Sequence, residues 1–100
     1  VVQGVENLTR LTGRLLAREP DPRRADWDVV VVRVAAADPV AGKADLLSGR
    51  VGEDLAVGFR RALLAGAQPG ARLAFRARLV PDGALAEPYP DDGDLVVEPA

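Results

Sequence analysis

Residues 53–80, EDLAVGFRRALLAGAQPGARLAFRARLV, decide the fold. Leu55, Phe59, Ala62, Leu63 and Gly66 recur three or four positions apart, a spacing that predicts a helix over 53–66 with one apolar stripe facing a core. Glu53 and Asp54 at its start and Arg60 and Arg61 further along follow the order the helix dipole favours. Gly66 can end a helix, and Pro69-Gly70 turns the chain. Beyond that turn Leu73, Phe75, Ala77 and Leu79 alternate with Arg72, Ala74, Arg76 and Arg78, the pattern of a half-buried strand with an arginine-rich outer face.

Working outward, Val5 to Arg18 places Leu11, Gly13, Leu15 and Ala17 on one parity and Arg10, Thr12, Arg14, Leu16 and Arg18 on the other, which predicts a first strand. Gly13 in its middle marks a bulge or bend of the kind a small barrel needs. Glu19-Pro20-Asp21-Pro22 ends the strand, and Arg23 to Asp26 forms a polar loop. Trp27 to Ala37, WDVVVVRVAAA, reads as a central strand covered on both sides, interrupted by Arg33. Asp45 to Val51 is a short, weakly patterned third strand, broken at Ser48-Gly49. After the helix and the arginine-faced strand come the turn Pro81-Asp82-Gly83, a strand at Ala84–Glu87, the loop YPDDGD and a final extended piece, Leu95–Glu98.

The order strand, strand, strand, helix, strand, strand predicts an all-β single domain over 1–100. The architecture is a five-stranded Greek-key barrel of the OB-fold type, with the helix between strands three and four plugging one end. A ferredoxin-like fold would need a helix after the first strand, where residues 19–26 are polar and broken by proline.

Composition narrows the function. One hundred residues make one domain that buries roughly 60 to 70% of its unfolded surface, so self-association would help it. The 48% hydrophobic content is that of a globular chain, and the net charge of −2 argues against a generic polyanion binder. No cysteine and no histidine occur, which removes disulfides, thiol nucleophiles, histidine bases and the usual zinc ligands, and argues against an enzyme. The acids Asp91, Asp92 and Asp94 around Gly93 lack the remaining ligands of a calcium loop, so no metal or other cofactor is expected. No apolar run reaches the length of a membrane span and no signal pattern opens the chain, which makes the cytoplasm the default. The chain opens on Val1 without a methionine, which suggests either a trimmed chain or a gene that starts on a valine-type codon.

Several short motifs resemble bacterial single-stranded-DNA-binding proteins. Leu11-Thr12-Gly13-Arg14-Leu15 followed by Glu19-Pro20 is similar to that family's opening strand, and Gly52-Glu53-Asp54-Leu55-Ala56 to the start of its helix. Gly66 to Leu79 is similar to its glycine turn and following strand, and Val96-Val97-Glu98-Pro99 to its closing strand. The resemblance implies an OB-fold that binds single-stranded DNA; a homo-oligomer is expected on separate grounds, the shared outer parity of Trp27, Val29 and Val31. Three departures stand beside it. Leu46-Leu47-Ser48-Gly49-Arg50 has no aromatic where the family stacks a base, the hairpin at Pro81-Asp82-Gly83 is short, and the sequence stops at Ala100 short of that family's acidic tail, as a piece cut from a longer gene would. Without stacking, which contributes about 1 to 3 kcal/mol per base, the grip would rest on phosphate contacts and be weak and salt-sensitive.

The candidate nucleic-acid contacts are Arg10, Arg14, Arg18, Trp27, Arg33, Arg72, Arg76 and Arg78. The competing reading makes the arginines a solvated face paired with neighbouring acids, and Trp27, Val29 and Val31 an apolar outer patch that packs on a protein partner or a second copy. Phe59 and Phe75 are assigned to the core and Tyr89 to a loop anchor. Two functions follow: a weak single-stranded-DNA-binding module, or an interaction module that kept the barrel and lost the ligand.

Overall fold

The computed structural model describes residues 6–100. Its strands are β1 (Thr9–Pro20), β2 (Trp27–Pro39), β3 (Asp54–Arg60), β4 (Arg72–Val80), β5 (Gly83–Ala86) and β6 (Val96–Glu98), with one short helix, α1 (Arg61–Leu64), between β3 and β4. The strands are hydrogen-bonded in the order β1-β2-β3-β5-β4, and β4 returns to β1. A five-stranded barrel is thereby closed, OB-fold-like in its connectivity. All its seams are antiparallel except β3 with β5, which is parallel and two residue pairs long, Val57 with Ala84 and Gly58 with Leu85. β6 pairs with the start of β4 on the same edge that β5 occupies further along. Val5, the predicted start of the first strand, lies outside the described residues.

The predicted helix over 53–66 is mostly strand. Leu55 and Phe59 are four apart, a spacing that satisfies both a two-residue and a 3.6-residue period. The structure takes the first: Leu55, Val57 and Phe59 point inward and are buried, and Asp54, Ala56, Gly58 and Arg60 point outward. The apolar β2 needs a partner along its length, and 54–60 supplies one from Trp27↔Arg60 to Arg33↔Asp54. Only Arg61–Leu64 remains helical, and it buries Leu64 where the predicted stripe had placed Leu63, which is only partly covered.

The predicted third strand at 45–51 is instead a loop with one 3-10 turn at Ser48–Arg50. Asp45 takes the backbone out of any ladder by accepting from the amides of Leu47 (3.3 Å) and Ser48 (3.1 Å), the Thr9 hydroxyl (2.8 Å) and the Ser48 hydroxyl. That loop sends Leu47 into the core, fully buried.

β2 is covered on one face only. Asp28, Val30, Val32 and Val34 are buried and the intervening residues are half-buried or exposed, so the expectation of cover on both sides gives way to ordinary alternation. The core closes around Phe59 and Phe75, whose rings meet edge to face at 4.8 Å, with Leu11, Leu15, Val30, Val57 and Leu73 about them. Residue pairing slips between Thr12 and Gly13 and again between Leu15 and Ala17, so β1 bends where Gly13 predicts. An inward side chain there has no room. A Cβ on Gly13 would lie 2.6 Å from Val32 Cγ1 and closer still to the carbonyl oxygen of Arg33. No helix among the described residues is long and apolar enough to cross a membrane.

Candidate nucleic-acid interface

The outer face of β2, β1 and β4 brings part of the predicted set together. Arg14 on β1 stands opposite Arg33 on β2 and opposite Arg72 on β4. Register carries the row further, to Asp54 opposite Arg33 and Glu98 opposite Arg72. Five strands thus present acid, arginine, arginine, arginine, acid in one line. The local surplus of positive charge sits at the centre of a protein whose total is −2.

These three arginines are not equally free. Arg33 forks onto Asp54, Nε to Oδ1 at 2.9 Å and Nη2 to Oδ2 at 3.3 Å. That pairing holds the Asp54 carboxyl below its usual range and raises Arg33. Arg14 is exposed and donates one Nη1 bond to the carbonyl of Gly70 at 2.9 Å. Arg72 is exposed and has no side-chain hydrogen bond or ion pair among the described residues. Thr12, Gly13, Leu16 and Ala35 join the three in lining an open groove of about 400 Å³. Residue pairing skips Ala35 and Leu16, and these two slips bring Arg14 level with Arg33.

The other predicted residues lie elsewhere. Arg10 and Arg76 face each other across β1 and β4, four residues along β1 from the first row. Arg76 is neutralised by Glu87, Nε to Oε1 at 2.6 Å and Nη2 to Oε2 at 2.7 Å, with Asp94 at 3.4 Å. Hydrogen bonding to Glu87 keeps Arg76 above its ordinary value against the opposing effect of burial. Arg78 is exposed, opposite Leu85 on β5.

Arg18 serves the fold and leaves the candidate surface. Its Nε meets Asp28 Oδ2 at 2.7 Å, and its Nη1 donates to the carbonyls of Ala67 (2.8 Å) and Ala65 (3.3 Å). Ala65 sits at φ 49°, uncommon for a residue with a Cβ, and the Arg18 bonds hold that turn. Asp28 is buried, and Arg61 reaches its other oxygen at 2.8 Å. Burial alone would raise the Asp28 carboxyl, but the hydrogen bonds from Arg61 and Arg18 outweigh it and leave it below the usual range. This buried acid was legible: Asp28 shares the inward parity of Val30 and Val32.

Trp27 stands apart from the arginine row, on the outer face shared by β2, β3 and β5. Its ring lies beside Gly58, with the indole Cε3 3.7 Å from where a Cβ would be, and Leu85 covers the same glycine from the other side. Val29 and Val31 continue this half-buried face beside Ala56. At its end the Arg60 guanidinium lies 4.6 Å from the centre of the Tyr89 ring, and its Nε donates to Pro88 O at 2.7 Å. Tyr89 is 78% exposed and meets the barrel through the Arg60 guanidinium. No group of three or more potential metal ligands occurs among the described residues.

A scan of family models and searches of curated proteins and of solved structures found no match to this chain.

Proposed function

We propose that this protein is a non-enzymatic OB-fold-like module that binds the backbone of single-stranded nucleic acid, DNA in the first instance, across the Arg14, Arg33 and Arg72 row. The observation that carries this reading is the register of those three side chains. Like charges directly opposite on neighbouring strands are destabilising, and an anion laid along the row relieves the repulsion. Planar guanidiniums suit phosphate because each can offer two parallel N–H donors. The floor beside them is small and weakly polar, and offers no aromatic surface for stacking. Binding of this kind reads no sequence and is weak, since phosphate contacts position without specifying. The resemblance of the first strand to single-stranded-DNA-binding proteins supports the same reading.

The test is the anisotropy of a labelled oligothymidine at several salt concentrations. Arg14→Ala and Arg72→Ala should each weaken binding for all base compositions alike and lower the slope of log affinity against log salt by about 0.7. An unchanged slope in both variants would sink the assignment.

The half-buried face of Trp27, Val29, Val31 and Leu85 favours a second reading, an interaction or homo-oligomerisation module. Under it, no oligonucleotide binds at low salt and Trp27→Ala changes the association state measured by light scattering.

A further inference from the structure

The arginine face is only half open. Arg10 and Arg76 continue it along β1 and β4, yet both are occupied by the chain's own loop between β5 and β6. Glu87 engages Arg76 through both carboxylate oxygens and Asp94 approaches the same guanidinium at 3.4 Å. The carbonyl of Gly93 accepts from Arg10 Nη2 at 3.4 Å. Two carboxylates and a carbonyl thus contact these side chains much as backbone oxygens of a nucleic acid would. The loop is also held near its start by Arg60, whose Nε donates to the Pro88 carbonyl at 2.7 Å and whose guanidinium lies over Tyr89, so Glu87 and Asp94 can release Arg76 while that end stays in place. Its backbone bonds are Glu87 N to Arg76 O at 2.9 Å and a local turn from Asp94 N to Asp91 O at 3.0 Å. Asp91 and Asp92 remain exposed and extend the acidic edge over the same region.

We infer that residues 87–94 form an intramolecular anionic strap that competes with a nucleic-acid backbone for Arg10 and Arg76 and confines the bound strand to the Arg14, Arg33 and Arg72 row. This rests on the proposed nucleic-acid function. Arg76 and Glu87 side chains are each 23% exposed and Asp94 25%, so these pairs are solvated enough to exchange partners. A tethered competitor acts at an effective concentration that a short oligonucleotide in dilute solution does not reach. The strap therefore sets the length of strand the module holds and keeps its affinity low without changing the open row.

The experiment compares oligothymidine binding by wild type, Glu87→Gln/Asp94→Asn, Arg14→Ala and a charge-matched control, Glu19→Gln/Asp26→Asn. The control residues are exposed and have no side-chain ion pair among the described residues. Asp26 sits at φ 66°, where Asn is accommodated. Freeing the strap should tighten binding roughly three- to tenfold, the scale of two screened ion pairs. It should also steepen the salt slope by about 0.7 to 1.4 as one or two phosphates reach Arg76 and Arg10. The control should change affinity by less than about twofold.

Equal tightening in the control would assign the effect to total charge and overturn the strap. Unchanged binding in Glu87→Gln/Asp94→Asn, with binding still weakened by Arg14→Ala, would overturn the strap and leave the proposed function standing. Absence of binding in every protein at low salt would remove both. Asp94→Asn alone, which leaves the Glu87 fork intact, serves if the double variant melts early, and should give a smaller shift in the same direction.

Discussion

Gly13→Ala is the substitution the barrel should tolerate least for its size. The added methyl would point inward between Leu11 and Leu15, 2.6 Å from Val32 Cγ1 and nearer still to the Arg33 carbonyl oxygen. Ordinary carbon contacts are about 3.5 to 4.0 Å, so close to 1 Å must be found. Val32 is fully buried and cannot swing aside, and the Arg33 carbonyl belongs to the backbone. Overpacking a core costs about 1 to 3 kcal/mol, and with backbone as one obstacle the upper end applies. For a domain of this length each 1 kcal/mol lowers Tm by about 4 to 8 °C, so the variant should melt roughly 12 to 24 °C below wild type in a circular dichroism scan. Gly66→Ala is the matched control, since nothing lies within 4 Å of its added Cβ. It should hold within about 0.5 kcal/mol of wild type or gain slightly from the stiffer unfolded chain. A Gly13→Ala protein melting within about 3 °C of wild type would refute the account of how β1 closes on β2. Because the same bend sets Arg14 beside Arg33, a folded Gly13→Ala protein should also lose salt-dependent oligonucleotide binding.

Phe59→Ala should cost about 3 to 5 kcal/mol, a large share of a small domain's stability, and show as a lowered urea midpoint. Asp28→Asn should cost about 1 to 3 kcal/mol by the same measurement, less than breaking a fully buried ion pair because Arg61 is half-exposed and can find water. The carboxyls of Asp21, Asp28, Asp45 and Asp54 are all held below their ordinary value in the folded protein. Their contribution is therefore complete above about pH 4 and is lost as the pH falls through their folded values. With no histidine in the chain, the urea midpoint should stay nearly flat from pH 5 to 7 and drop below pH 4. A transition centred near pH 6 would contradict this.

How far the sequence reaches differs by element. β1 and β4 are legible because their apolar residues fall on one parity over six or more positions, a pattern no helix reproduces, and β2 because an unbroken run of four valines favours a strand. Residues 53–60 are ambiguous because Leu55 and Phe59 fit both periods. The decision lies in Val57, whose branched side chain favours a strand, and in the unmet need of β2 for a neighbour, which is a fact about another part of the chain. The arginine row is less legible still. That Arg14 and Arg72 lie on adjacent strands follows from barrel order, but their alignment with Arg33 depends on two pairing slips whose positions only the folded register fixes. The pairing of Arg76 with Glu87 was hidden for a simpler reason: ion-pair partners eleven residues apart across a hairpin follow no periodicity. Trp27, Val29 and Val31 do share an outward face as their parity predicts.

The β3–β5 seam has a consequence for how this molecule breathes. It is two pairs wide, whereas β3 keeps seven pairings to β2 and β5 keeps four to β4. Parting it leaves each strand anchored on its other side and turns the closed cylinder into a curled ribbon with two raw edges. Transient parting would let those amides of the Val57–Gly58 and Ala84–Leu85 segments that face the seam exchange with solvent ahead of the β1–β2 ladder, an order that hydrogen exchange can read. Two ribbons opened at once carry complementary edges, β3 of one against β5 of the other. At high concentration this is the seam through which barrels of this kind would trade strands and close around each other.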